Sequence, residues 1–267
     1  RELGAHAAGG DLFADGSLGS HTACLGSRYD DVDTLGYAYL DAEQVAAHVT
    51  ECTRVGLQAG FHAIGDAALS AVLDGYARSA QQVGLEVLRA ARHRIEHVEI
   101  PLPRHVEQMA RLGLVASVQP AFDARWGGPD GLYAARLGQQ RSRDSNPLAA
   151  LAAAGVPLAF GSDAPVTPLD PWGAVRAAVW HHNQSERLTV AEAFGAHTAG
   201  GFELAGRPGG VLHEGGPASY VVWDCRSAGL PTTEDGLPDL SLDQATELPV
   251  ALRTVVDGHP TFRREGV

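Results

Sequence analysis

The chain has 267 residues, 45% of them hydrophobic, and a formal net charge of −12. That length suits one large domain, or a domain with a small appendage, with enough apolar residues for a sizeable core. The acidic balance argues against nucleic acid and anionic membranes as partners, because both present phosphates that would repel the chain.

Three sparse, widely spaced cysteines, Cys24, Cys52 and Cys225, do not form a disulfide framework or a metal-binding spacing. No apolar stretch approaches the roughly 18 residues needed to span a bilayer. There is no secretory leader, so a cytoplasmic protein is expected. The first residue is Arg1, not Met, and Arg1–Gly10 has no start-like character. A fragment or a processed form is therefore expected.

Strand and helix patterns alternate along the chain. A strand is expected at Asp11–Ala14, closed by Asp15-Gly16. A helix follows over Asp41–Val55, with Asp41 as N-cap and Gly56 just past its end. Leu57–His62 reads as a strand, Ala67–Gln82 as a helix, Arg94–Val98 as a strand and Pro103–Leu112 as a helix stopped by Gly113. Leu114–Gln119 reads as a strand, followed by a long irregular segment from Pro120 to Asn146. Pro147–Ala154 reads as a helix, Pro157–Gly161 as a strand, and Pro171–His182 as a helix carrying His181 and His182. A last helix, Thr189–Ala205, opens with Thr189 and Glu192 at capping-box spacing.

Alternating strands and helices predict an α/β fold with a parallel sheet. Beyond Gly206 the pattern changes to two strands, Ala218–Asp224 and Val250–Asp257, separated by polar, Gly- and Pro-containing sequence. The expected division is 1–205 for the main domain and 206–267 for a small β appendage.

Three predicted strands end on, or just before, a metal-ligand type: His62, His97 and Asp163. In parallel α/β folds ligands bind at the carboxyl ends of strands. About one strand–helix unit separates His62 from His97, and about two separate His97 from Asp163; the unit between supplies Gln119. Two imidazoles and a carboxylate suit Zn²⁺ or a similar divalent ion. Taken singly, each histidine is more often a hydrogen-bonded structural residue than a ligand; the joint pattern is what favours metal. By period-2 alternation His97 shares a face with Ile95, and Asp163 with Gly161. Asp66 either hydrogen-bonds a ligand residue near the His62 strand end or, the preferred reading, caps the helix beginning at Ala67. Phe122, Trp126 and Tyr133 in the irregular segment fit either an apolar or aromatic substrate group or plain loop packing. Ser17, Ser20 and Thr22 lack a histidine–acid pair other than one through His21, which argues against a serine nucleophile.

The motifs His62-Ala63-Ile64-Gly65-Asp66, Arg92-His93-Arg94-Ile95-Glu96-His97 and Gly161-Ser162-Asp163-Ala164-Pro165-Val166 resemble those of the amidohydrolase superfamily. The nearest branch is that of the YtcJ-like hydrolases and N-substituted formamide deformylases. Asp15-Gly16-Ser17-Leu18-Gly19-Ser20 with Thr22-Ala23 is similar to that branch's fourth-strand motif, and the likeness runs from about Gly10 to Asp257. The resemblance implies the C-terminal portion, strands four to eight, of a (β/α)₈ TIM-type barrel with a small β-sandwich. It implies that His62 and His97 are the fifth- and sixth-strand metal ligands. Asp163 would be the eighth-strand aspartate, which binds metal and carries a proton from water to the leaving amine. The implied activity is hydrolysis of an amide-type C–N bond in a small molecule.

Two departures from the family pattern stand out. The family's first strand carries a His-x-His pair, and this sequence has none. Where many relatives have a metal-bridging lysine, this chain has Asp11, which is either a carboxylate ligand or a solvated strand-entrance residue. The expectation is that this chain alone binds metal weakly and hydrolyses little. Five strands would leave two open sheet edges, so a homo-oligomer is a candidate assembly. The rival readings are an ester hydrolase on the same scaffold and a catalytically silent or binding module.

Overall fold

The computed structural model describes residues 4–225 and 229–265, with the Asp11 side chain outside the description. Five strands form one parallel sheet in chain order: β1 (Ala7–Phe13), β2 (Gln58–Ala63), β3 (Arg94–His97), β4 (Val115–Val118) and β5 (Leu158–Phe160). Parallel neighbours need crossovers, and helices supply them. Helices α1 (Ala42–Val55), α2 (Asp66–Val83), α3 (Leu85–Ala90) and α4 (Pro103–Leu112) link the first four strands.

Local sequence explains why α1 stands where it does. The Asp41 carboxylate accepts from the Glu43 and Gln44 backbone N–H groups, and the Gln44 side chain accepts from the Asp41 N–H. Gly56 closes the helix in the left-handed conformation at φ 69°. Val45, Val49 and Cys52 then lie on one buried stripe. This stripe packs on α2 closely enough that Gly75 is required: a Cβ there would lie 2.4 Å from Val45 Cγ1 and 3.0 Å from the Ala42 carbonyl oxygen.

Phe61, Ile95 and Ala116 are register partners across β2, β3 and β4. All three are fully buried, in one cluster with Leu69, Val72, Leu73 and Tyr76 of α2. This is the helix-facing side of the sheet. Burying a side chain such as Phe61 contributes about 1.5–3 kcal/mol. The opposite side is polar: Arg94 donates to both Gln58 and Glu96 there.

The segment expected to be irregular, 120–146, contains two helices, α5 (Pro120–Trp126) and α6 (Leu132–Arg143). Proline at the first helical position starts α5, and α6 is kinked at Gly138, φ 75°. Helix α7 (Leu148–Ala153) precedes β5, and α8 (Pro171–Val179) follows it. Helix α8 stops before His181 and His182, which lie in the loop beyond it, contrary to the sequence expectation. The expected Thr189–Ala205 helix is two, α9 (Val190–His197) and α10 (Ala199–Leu204), broken at Thr198; the Thr189–Glu192 capping box is formed.

Beyond these, β6 (Tyr220–Asp224), β7 (Val250–Val256) and β8 (His259–Arg263) form a separate antiparallel sheet in that order. Among the described residues it is a single sheet rather than a sandwich. It adds β8, which the sequence reading lacked. Asp257 and Gly258, at φ 48° and 80°, make the β7–β8 turn. The intervening chain returns to the main core: Leu240 is buried there, and the Trp180 indole donates to the Leu240 carbonyl at 2.7 Å.

Candidate active site

His62 lies in the last turn of pleat of β2, and His97 ends β3. The register pairs His62 with Glu96 and Ala63 with His97. Partners across a sheet point the same way, so regular geometry would send the two histidines to opposite faces. They nevertheless meet, ring centroids 4.4 Å apart and planes at 68°. The reason is backbone: His97 and Val98 have φ of 73° and 51°, which ends the pleat and turns the imidazole to the His62 side. His97 therefore does not share a face with Ile95 in the sense the alternation implied.

Hydrogen bonds set both tautomers. His97 Nδ1 donates to Gln119 Oε1 at 2.9 Å, which assigns the lone pair of the neutral ring to Nε2. His62 Nε2 donates to the Gly16 carbonyl at 2.9 Å, which assigns its lone pair to Nδ1. Phe13 packs on the His62 ring at 4.5 Å while half exposed, and Phe122 stacks on His97 at 6.0 Å. Trp126 follows at 4.8 Å from Phe122, and Tyr133 at 6.3 Å from Trp126. The aromatic residues of the segment after β4 thus flank the histidine pair.

Two buried carboxyl groups stand beside it, neither singled out by the sequence reading. Asp15 is fully buried and accepts from the backbone N–H groups of Cys24, Ile64 and Gly65 at 2.8–3.0 Å. One of its oxygens lies 3.6 Å from His62 Nε2. Burial raises its pKa to about 6, against the pull of those three N–H groups. Glu99 accepts from the Tyr133 hydroxyl, and burial raises its pKa to about 7, against the attraction of His97. In sequence Asp15 reads as half of an Asp-Gly turn and as the first residue of the fourth-strand motif, with no role of its own; the signal that could have found one is its place at a strand end.

Asp163 lies three residues beyond β5, exposed, with φ 52°. Asp11 belongs to β1 at its bulge, and its side chain lies outside the described residues. Among the described residues no three His, Cys, Asp or Glu side chains form a group that could hold a metal ion. The His62–His97 pair fits a divalent ion in donor type and proximity.

Asp66 is the first residue of α2 rather than its cap, and its carboxylate accepts from the Gly26 N–H at 2.8 Å. His21 Nε2 pairs with Asp31 at 3.1 Å, whereas the Ser17, Ser20 and Thr22 hydroxyls bond to one another at 2.9 and 2.6 Å. No serine is activated by that pair.

Two touching imidazoles at the carboxyl ends of adjacent parallel strands make the chain an α/β protein with a polar rim to its sheet. The Amidohydrolase family model matches residues 3–262, and the chain belongs to that family. It is 31% identical to the amidohydrolase YtcJ of Bacillus subtilis, over 79% of this chain and 41% of that one. It is 24% identical to the N-substituted formamide deformylase of Arthrobacter pascens, over 87% of this chain and 41% of that one. Among solved structures it resembles an uncharacterized metal-dependent hydrolase from Pyrococcus furiosus, with TM-score 0.68 and 29% identity over 78% of this chain and 42% of that one. The chain spans about two fifths of the length of these relatives. No helix among the described residues is long and apolar enough to cross a membrane.

Proposed function

We propose that the chain is the part of a metal-dependent hydrolase that supplies two imidazole ligands and much of the substrate rim, acting on an amide-type C–N bond of a small molecule. On this reading β1–β5 are strands four to eight of a (β/α)₈ barrel. His62 and His97 would hold a divalent ion, zinc by donor type, with Asp163, which is not grouped with them among the described residues, and Asp11 as further candidate ligands. The contact between the His62 and His97 rings, made only because His97 leaves the strand conformation, carries the proposal.

A divalent ion there would polarise the scissile carbonyl and acidify a water towards a pKa of about 7. This chain's own residues do the rest. Gln119 fixes the His97 ring. Gly16 fixes His62. The Asp163 carboxylate, exposed beyond β5, would hold a proton and return it to a departing amine. Phe13 and Phe122 give the rim apolar walls, which favour a substrate with an apolar or aromatic group.

The test is metal content by elemental analysis together with hydrolysis of a panel of N-acyl and N-formyl amines. Metal-dependent release of amine supports the reading; turnover unaffected by chelation and by His97→Gln overturns it. The lack of a three-ligand group among the described residues favours a second reading, a catalytically silent module of the same family. Metal uptake with no turnover of any amide or ester would select it.

A further inference from the structure

Beyond α5 from the histidine pair lies a cavity of about 640 Å³, within the usual range for small-molecule sites. Its polar lining includes Asp123, Gln140, Arg143, His182 and Asn183, with Gly128 on the wall. The proposed hydrolytic site uses none of these residues.

The cluster is built from a buried charge outward. The Asp123 side chain is 3% exposed. It accepts from the His182 backbone N–H at 3.0 Å and the His182 Nδ1–H at 3.1 Å. Its other oxygen faces His181 Nε2 at 3.5 Å, within ion-pair distance but not aligned as a hydrogen bond. His181 Nδ1 lies 3.0 Å from the Asn183 backbone nitrogen and 3.2 Å from the Asn183 carbonyl oxygen. The Asp123 carboxylate is thus held inside the wall by two bonds from His182.

The same bonds orient His182 outward. With its proton on Nδ1, the Nε2 edge lies along Gly128, where a Cβ would come within 2.9 Å of Nε2 and 2.7 Å of Cδ2. The ring is 41% exposed, and Gly128 has φ 83°, which favours glycine. Arg143 is exposed, and among the described residues its guanidinium has no hydrogen-bond or ion-pair partner. In a chain of net charge −12, an unpaired arginine lining the same cavity as an oriented imidazole is a specific feature.

We propose that this cavity is a second small-molecule site that binds a polar monocarboxylate, with Arg143 as the charged fork and His182 as the orienting partner. A guanidinium presents two parallel N–H donors, matching the two oxygens of a carboxylate. A single cationic fork with the Asp123 carboxylate in the same wall suits a monoanion better than a dianionic phosphate. Phe122 stacks on His97 while its neighbour Asp123 anchors this cluster, so one short helix forms the wall between the two sites.

The experiment is calorimetric titration of the 267-residue chain with lactate, with lactamide as neutral isostere and inorganic phosphate as rival anion, alongside NMR of the His182 ring. Saturable lactate binding that shifts the His182 resonances is expected, with lactamide and phosphate weaker by about tenfold or more. Arg143→Met should weaken lactate by at least about tenfold, with Arg143→Lys intermediate because it keeps the charge and loses the fork. Gly128→Ala should weaken lactate by displacing the ring. His62→Gln should leave lactate binding unchanged. Arg143 is exposed, so its variants should keep the wild-type near-UV circular dichroism. Absence of saturable binding, equal binding by folded Arg143→Met, or phosphate tighter than lactate would overturn the proposal.

Discussion

His62 and His97 touch edge to face although strand register assigns them to opposite sides of the sheet. The contact depends on the left-handed backbone at His97 and Val98, a conformation that costs a non-glycine residue on the order of 1–2 kcal/mol. Cobalt(II) titration followed by visible absorption reads this pair directly. His62→Gln and His97→Gln should each weaken cobalt binding by about tenfold or more, and Gln119→Leu by about tenfold through loss of ring orientation. Asp163→Asn should weaken it as well. Wild-type affinity in both histidine variants would remove the pair from the ligand set.

Asp15 ties three chain segments together, since its three N–H donors come from Cys24, Ile64 and Gly65. Replacement by alanine leaves those buried donors without an acceptor, at about 1–3 kcal/mol for each such group. Asp15→Ala should therefore lose roughly 3 kcal/mol or more in urea unfolding with an unchanged m-value. A loss below about 1 kcal/mol would show that water replaces the carboxylate.

Much of this was legible in the residues. Apolar runs ending on His62 and His97 marked the rim, and Asp41, Gly56, Thr189 and Glu192 marked helix ends that the structure forms. The turn of His97 was not legible, because alternation carries no sign of a residue leaving the β region. Helices α5 and α6 were hidden because α5 is short, α6 is kinked at Gly138 and glycines punctuate the stretch. Strand β8 was hidden by Pro260, which the ladder tolerates because β8 is an edge strand. The burial of Asp15 depends on contacts made by residues 9 to 50 positions away, beyond the reach of any local pattern.

His93 should stay neutral well below the usual histidine range. It is fully buried, and burial lowers its pKa from 6.5 to about 4. Its Nδ1 accepts from the Ala59 N–H at 2.8 Å. Thr53 gives its hydroxyl proton to the Val49 carbonyl, so the Thr53 oxygen accepts from His93 Nε2 at 2.8 Å. Protonating Nδ1 would set two donors against each other. The unfolded state binds the proton first, so this residue's contribution to stability is present above pH 6.5 and is lost as pH falls towards 4. Carbon-detected NMR of the imidazoles should show no His93 titration step between pH 8 and 5. A midpoint near 6.5 would contradict the buried network.

Gly65 and Gly155 separate two reasons for glycine. Gly155 has φ 78° with open space around the Cβ position, so alanine there meets only backbone strain, about 1 kcal/mol. Gly65 has φ −76°, which any residue adopts, but a Cβ would lie 2.0 Å from the Cys24 carbonyl oxygen. That oxygen accepts from the Ala67 and Ala68 N–H groups at the start of α2, and the Cys24 and Gly65 N–H groups both donate to Asp15. Backbone on both sides of the clash is therefore held, and relief requires opening the Asp15 cage or lifting the first turn of α2. Gly65→Ala should cost about 3 kcal/mol or more, beyond ordinary overpacking, and should shift the His62 ring resonances, because His62 lies on the strand that feeds this turn. Gly155→Ala should leave them in place. Equal stabilities for the two variants in the same urea titration would mean that the loop carrying Cys24 yields freely, and the close approach at Gly65 would then hold nothing at the rim.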